Sequence, residues 1–307
     1  MNFPISNSLS GVRLGEIWAQ KWPAQDQVLT EYQRNEFGFT DFILENDFPV
    51  LSRFMLSYET EWNQFASWAL WMRSSWFFAI TVCVVYVLSV HIGQRLMSDK
   101  KPFELKLLLF IWNSLLALFS IVGTLRVLPA VFYGIILNGP MYHMCRAGDI
   151  SYGIGSVGLW STLFVLSKYA ELIDTVFLVL RKKTVPFLHW YHHATVLLLS
   201  TGTMMLHGPS GIVMIGMNFF VHSIMYTYYA ISAITAPPKW GKLVTVIQIL
   251  QMFAGLTVFA GIVYGTLFVP NCAVHWGNTL AIGGIYASYL LLFVRFYTKR
   301  YVPKKSI

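Results

Sequence analysis

His189, His192 and His193 stand at i, i+3 and i+4 of an apolar run, so a helix there carries all three imidazoles on one face. They form the cluster His189-Trp190-Tyr191-His192-His193. Imidazole titrates near neutral pH, so such a face can move protons, attack a carbonyl or ligate a metal. Other polar residues interrupt neighbouring apolar runs. Lys168, Glu171 and Asp174 follow at i, i+3 and i+6, broadly along one helical stripe. Asn218 and His222 are spaced i, i+4 and lead into Met225, Tyr226, Tyr228 and Tyr229, and Gln248 and Gln251 are spaced i, i+3. A charge at the centre of a bilayer costs on the order of 3 kcal/mol, so ionisable residues in such runs face an interior cavity and act there.

The elements that position these groups are membrane helices. The chain has 307 residues, 56% of them hydrophobic and 12% charged, with a mean hydropathy of +0.55. A soluble domain carries roughly 25% charged residues, so this chain needs an apolar solvent. Runs of about 20 apolar residues predict helices rather than barrel strands. Seven are expected, near 75–95, 105–125, 157–180, 187–206, 212–234, 243–268 and 276–297. The connection 126–156 holds an apolar piece, Val127 to Leu137, that is short for a span and reads as re-entrant or interfacial. Residues 1–72 are a polar segment, residues 73–298 the seven-helix domain and residues 299–307 a tail. Within the polar segment, Glu36 to Glu61 has the aromatic-acidic make-up of short interfacial helices. The first 25 residues lack a basic start followed by an apolar core, so no cleavable signal peptide is expected.

Charge fixes the orientation. The net charge of +8 divides into −4 over residues 1–73 and +12 over residues 74–307. The basic excess sits in short loops beside apolar runs, which speaks for topology signals and anionic ligands rather than nucleic acid. Arg95, Lys100, Lys101 and Lys106 fill the first loop, Arg181, Lys182 and Lys183 the third, Lys239 and Lys242 the fifth, and Lys299, Arg300, Lys304 and Lys305 the tail. The alternate loops are nearly bare of Lys and Arg, so the positive-inside bias puts the C-terminus in the cytosol and the N-terminus outside or in a lumen. Cys145 and Cys272 then share the lumenal side, where they either pair or remain two free thiols. The tail ends Lys304-Lys305-Ser306-Ile307, with lysines third and fourth from the end, the placement of a retrieval signal to the endoplasmic reticulum.

With this topology the polar groups of alternate helices meet at similar depth. His192 lies about 9 Å into its helix from Pro186, and Asp174 about 10 Å from Arg181. A polar, histidine-rich chamber opening to the cytosol results. A di-iron oxygenase needs about eight clustered histidines. Of the eight here, His143, His207 and His275 fall on the opposite side, and His91 adds at most a fifth to the chamber. Acid–base or nucleophilic work by imidazole, without a metal, is the favoured chemistry. A membrane di-iron desaturase or hydroxylase is the alternative. A seven-helix receptor shares the topology but needs neither the buried histidine face nor a dilysine tail.

Four ordered motifs resemble the ELO family of very-long-chain fatty-acid elongases. They are Lys168-x-x-Glu171-x-x-Asp174-Thr175 running to Arg181-Lys182-Lys183, then Leu188-His189-Trp190-Tyr191-His192-His193, then Met217-Asn218-x-x-x-His222-x-x-Met225-Tyr226-x-Tyr228-Tyr229, and Thr245-x-x-Gln248-x-x-Gln251. The likeness extends over about residues 75–300. It implies condensation of a long-chain acyl-CoA with malonyl-CoA to a 3-oxoacyl-CoA, with release of carbon dioxide and coenzyme A and no cofactor beyond the substrates. It implies six of the seven helices in a barrel around an acyl tunnel closed at the lumenal end, and a Cys145–Cys272 disulfide. The implied setting is the endoplasmic reticulum membrane, with the reductases and dehydratase of the elongation cycle and a second copy of the chain as partners. His192 and His222 are then expected to meet the thioester and the malonyl unit, as nucleophile or base. His189 and His193 support the developing enolate, and Asn218, Gln248 and Gln251 donate to oxyanions. Lys168, Glu171, Asp174 and Tyr226 line the same chamber. Coenzyme A phosphates are expected on Arg181, Lys182, Lys183, Lys239, Lys242, Arg295 and Lys299. The Trp-Tyr pair in the histidine box resembles the saturated and monounsaturated subgroup, and Trp160, Phe219, Phe220, Phe253 and Phe259 are candidates to block the tunnel's far end.

Overall fold

The computed structural model describes residues 39–270, 272 and 274–302. Residues 1–38 and the Lys304-Lys305 pair lie outside the described residues. Among the described residues every regular element is an α-helix. Four short helices come first: α1 (Leu44–Asp47), α2 (Pro49–Ser52), α3 (Ser57–Thr60) and α4 (Phe65–Ser74). The long helices α5 (Trp76–Leu96) and α6 (Lys106–Asn138) follow, then the single turns α7 (Tyr142–Cys145) and α8 (Gly148–Ser151). The remainder is α9 (Gly155–Ala170), α10 (Ile173–Leu180), α11 (Phe187–Met205), α12 (Gly211–Ile234), α13 (Gly241–Phe268) and α14 (Trp276–Tyr301). Five of these, α5, α6, α12, α13 and α14, are long and apolar enough to cross a membrane. Large apolar side chains such as Phe77, Leu107 and Ile136 are exposed along α5 and α6, the arrangement expected of helices solvated by lipid. The chain is a multi-pass membrane protein.

Two expected elements come out differently. The apolar piece Val127 to Leu137 is neither re-entrant nor interfacial: it continues the second helix, and α6 is unbroken for 33 residues. That is about 50 Å of helix, longer than the ~30 Å of hydrocarbon it has to cross. Pro129 is accommodated inside α6, because the adjoining Val127, Ala130 and Val131 are packed tightly against α12. Glycine permits that approach: a Cβ on Gly123 would stand 2.5 Å from the Phe219 ring, so the crossing excludes any side chain there.

The third apolar run is split. The helical ladder of α9 stops at Ala170, and the Asp174 amide bonds the Glu171 carbonyl and the Thr175 amide the Leu172 carbonyl, both i to i+3. This tightened turn separates Lys168 from Asp174, which therefore do not lie on one continuous stripe.

The long helices follow one another in space. α6 packs on α12, α12 on α13, α13 on α14, α14 on α11, and both α11 and α6 on α9. α5 lies against α11 and α10. At the end away from the basic loops, Cys145 and Cys272 form a disulfide that ties α7 to the segment before α14.

The described part of the polar segment is a folded cap. Leu44, Phe65 and Met72 are buried in a cluster with α6, α9 and α12, and α4 crosses the boundary expected at residue 73. Glu59 accepts from Arg126 Nε at 2.8 Å, Ser156 Oγ at 2.9 Å and Trp160 Nε1 at 3.0 Å. Glu45 accepts from the Ser156 amide at 2.9 Å, and the Gly155 amide donates to the Trp62 carbonyl at 2.8 Å.

Candidate active site

Pro186 caps α11 with an extended backbone, and its fixed φ leads straight into the helical first turn. One turn later the three histidines point to the same interior. The His189 and His193 rings are 4.6 Å apart and the His192 and His193 rings 5.4 Å. Trp190 points the other way, edge-on to His91 at 5.7 Å, so His91 stays out of the cluster.

The turn between α9 and α10 supplies the charges. Lys168, only 2% exposed, donates from Nζ to Glu171 Oε1 at 2.7 Å and to Asn218 Oδ1 at 2.9 Å. Its ammonium also lies 4.1 Å from the centre of the Phe164 ring. Ser167 Oγ donates to the same Glu171 oxygen at 3.0 Å, and the other oxygen faces His222 Nδ1 at 3.9 Å. A buried ion is tolerated only when its donors and acceptors are met in this way. Asn218 and His222, one turn apart on α12, thus both stand beside the Lys168–Glu171 pair. The α12 imidazole faces this ammonium–carboxylate pair, and the three α11 imidazoles pack against one another. Glu171 Oε2 and His193 Nδ1 are buried there without a hydrogen-bond partner among the described residues.

Asp174 belongs to a neighbouring network. It accepts from Trp112 Nε1 at 2.6 Å and from the Tyr226 hydroxyl at 2.8 Å, joining α10 to α6 and α12. Thr175 bridges the two sides: its hydroxyl is 2.9 Å from His189 Nε2 and 2.7 Å from the Tyr86 hydroxyl. Tyr289 of α14 donates to the His192 carbonyl at 3.2 Å, bonds Thr195 at 2.6 Å and packs its ring 4.9 Å from the His192 ring. Tyr86, Trp112, Thr195 and Tyr289 were not singled out by sequence reasoning. Each is a polar tip on an otherwise apolar residue, or a lone hydroxyl, within an apolar run, which membrane helices carry commonly.

The glutamines are further from the histidines in bonding terms. Gln248 Nε2 donates to Met225 Sδ at 3.2 Å, and Gln251 is buried on the same helix. Of the basic residues, Lys182, Lys183, Lys239, Lys242, Arg295 and Lys299 are exposed and Arg181 is half-buried. They rim the end at which α11 begins. Lys182 donates to the Ser98 carbonyl at 2.6 Å, and Lys242 lies 5.7 Å from the Tyr297 ring.

Beyond Asn218 and Tyr286, on the side away from this rim, a narrow cavity runs down the interior. Its wall is mostly apolar, from Val196 and Leu199 of α11 to Met214 and Ile215 of α12, with the hydroxyls of Ser161, Ser200 and Thr203 among them, and its far end meets Phe65, Tyr152 and Gly211. The aromatic residues expected to block it are mostly elsewhere. Phe220 and Phe253 are 45% and 64% exposed on the outer surface, while Trp160 and Phe219 pack with Phe119 beside the cavity. A buried cluster of imidazoles, an ammonium and a carboxylate, joined through Asn218 to the wall of an apolar cavity, suits a polar headgroup joined to a long hydrocarbon chain.

The chain is similar in sequence to known proteins. The family model described as ELO, the GNS1/SUR4 family, matches residues 71–307. A "Long chain fatty acid elongase 2" of Caenorhabditis elegans is 38% identical over 230 residues, 73% of this chain and 83% of that protein. A "Very long chain fatty acid elongase 6" of Drosophila melanogaster is 38% identical over 236 residues, 76% of this chain and 74% of its own. A human protein of the same name is 35% identical over 236 residues, covering 76% and 88%. With the four motifs, the buried histidine site and a family match from residue 71 onward, the chain belongs to the ELO family of fatty-acid elongases.

Proposed function

We propose that this elongase condenses a long-chain acyl-CoA with malonyl-CoA at the histidine cluster. Loss of carbon dioxide from the malonyl unit leaves a carbanion at its C2, stabilised as the thioester enolate. That carbon attacks the acyl thioester carbonyl, the bond to sulfur breaks, and coenzyme A leaves as thiolate and takes up a proton. The products are the 3-oxoacyl-CoA, carbon dioxide and coenzyme A. The observation that carries this reading is the buried Lys168–Glu171 pair, with His222 3.9 Å from its carboxylate and Asn218 joining its ammonium to the wall of the apolar cavity, beside the clustered histidine rings of α11.

His192 and His222 face the reacting carbonyls from opposite helices and supply the nucleophile or base. His189, fixed through Thr175, and His193 support the enolate as charge develops. Lys168 holds Asn218 Oδ1, which leaves the Asn218 amide N–H groups to donate to an oxyanion. Asp174 and Tyr226 brace the wall. Gln248 lies beside Met225, and Gln251 is buried a turn further along α13. Arg181, Lys182, Lys183, Lys239, Lys242, Arg295 and Lys299 attract the coenzyme A phosphates at the rim.

The succession of contacts through α6, α12, α13, α14, α11 and α9 supports a six-membered barrel, with α5 outside it as the seventh span. The Lys and Arg loop bias supports a cytosolic rim and a lumenal cap, and the dilysine tail supports the endoplasmic reticulum membrane. There the reductases and dehydratase of the cycle would take the product, and a second copy of the chain is an expected partner. The Trp190-Tyr191 pair supports saturated or monounsaturated substrates.

The test is incubation of the purified protein with an acyl-CoA panel and labelled malonyl-CoA. Chain-length-dependent 3-oxoacyl-CoA is expected without added metal or reductant. Absence of product at every acyl length refutes the reading, and stoichiometric tightly bound iron would favour oxygenase chemistry instead.

A further inference from the structure

The cavity below the histidines is closed by a residue from outside the long-helix assembly. Phe65, the first residue of α4, is 2% exposed and lines the far end. Its ring stands edge-on to Tyr152 at 5.5 Å and to His207 at 6.1 Å. Tyr152 is itself tied down, its hydroxyl donating to the Gly208 carbonyl at 2.8 Å. The position is fixed from behind as well, because the preceding segment is bolted to α6 and α9 through Glu59, Arg126, Ser156 and Trp160. On α11 the cavity wall runs from Val196, one turn beyond His192, to Met204, or about 12 Å of helix.

We propose that Phe65 is the floor of the acyl site, so the cap preceding the first long helix sets the longest chain this enzyme elongates. The inference rests on reading the cavity as the acyl site. The methyl end of a chain whose thioester sits at His192 runs down between α11 and α12 and stops on the Phe65 ring. A longer chain has to displace a ring held by its own helix and by Tyr152, and the packed interior does not yield to that. Neither the histidine box nor the other three motifs contains this residue.

The test compares full-length wild type, Phe65→Ala, Phe65→Leu and Ser200→Leu, each purified and reconstituted. All receive saturated acyl-CoAs in two-carbon steps with labelled malonyl-CoA, and the readout is the chain-length profile of kcat/KM. A profile is a ratio within one preparation, so a smaller folded fraction does not move it. Phe65→Ala is expected to shift the optimum at least one two-carbon step longer, with about a tenfold relative gain from two more buried methylenes. Phe65→Leu shifts it less in the same direction, and it decides the matter if the alanine variant does not fold. Ser200→Leu fills the wall part-way down and shifts the profile shorter. A shorter profile in Ser200→Leu with unchanged profiles in both Phe65 variants overturns the floor but keeps the cavity as acyl site. Unchanged profiles in all three variants overturn the acyl reading of the cavity itself.

Discussion

Replacing Lys168 by methionine keeps the side chain's length and removes its charge from the centre of the site. The ammonium is 2% exposed, 2.7 Å from Glu171 Oε1 and 2.9 Å from Asn218 Oδ1. At an effective dielectric of 20, the Coulomb attraction of such a pair is about 4–6 kcal/mol. Each ion gives up several kcal/mol of hydration on burial, so the intact pair contributes little net stability. Removing one partner is different, because the Glu171 carboxylate stays buried with nothing to balance it. That costs about 3–5 kcal/mol. For a chain of this size the thermal midpoint falls ~2 °C per kcal/mol, so a drop of about 6–10 °C is expected in detergent. The double variant Lys168→Met/Glu171→Gln removes both charges and is expected to recover at least half of that drop. A single variant as stable as wild type, or a double variant as unstable as the single, refutes the uncompensated-charge argument.

Three shorter predictions address the surroundings. Tyr86→Phe removes the hydroxyl behind Thr175 and His189, and about a three- to tenfold lower kcat with unchanged KM is expected; steady-state kinetics equal to wild type would contradict it. Cys145→Ser opens a loop of 127 residues and is expected to lose stability approaching 5 kcal/mol, read as a lower thermal midpoint that reductant no longer changes. Burial raises the Glu59 carboxyl, but hydrogen bonds from Arg126, Trp160, Ser156 and the Leu56 amide outweigh it and hold the group below its ordinary 4.5. A depressed folded value gives stability that is present above pH 4.5 and lost as pH falls through the folded value. The thermal midpoint of wild type should therefore fall below pH 4.5 more steeply than that of Glu59→Gln, and parallel curves would show that Glu59 does not secure the cap.

The parts of this molecule legible in the sequence are those with a local signature. Histidines at i, i+3 and i+4, a lysine and a glutamate three apart, and Asn218 with His222 announce themselves because apolar helices do not otherwise hold such groups. What escaped was decided by distant partners. Arg126 reads as the end of a span, yet α6 passes through it, because Glu59 and the Phe54 carbonyl, far earlier in the chain, receive its guanidinium. The turn at Glu171 contains neither Gly nor Pro, and it arises where Lys168, Ser167 and Asn218 gather around a buried carboxylate. Which aromatic residues face the cavity was illegible for another reason. A helix apolar on every side has no periodicity to separate lipid from interior, so Phe219 and Phe220 read alike although one is 2% and the other 45% exposed. Phe65 lies in a segment that reads as polar, and only the fold carries it under the cavity.

The most direct test of the central claim is condensation by His192→Ala and His222→Ala, each purified as a folded, monodisperse protein and assayed with acyl-CoA and labelled malonyl-CoA. The account predicts that each loses about 10²- to 10⁴-fold in 3-oxoacyl-CoA formation. Near-normal turnover in either variant would contradict it.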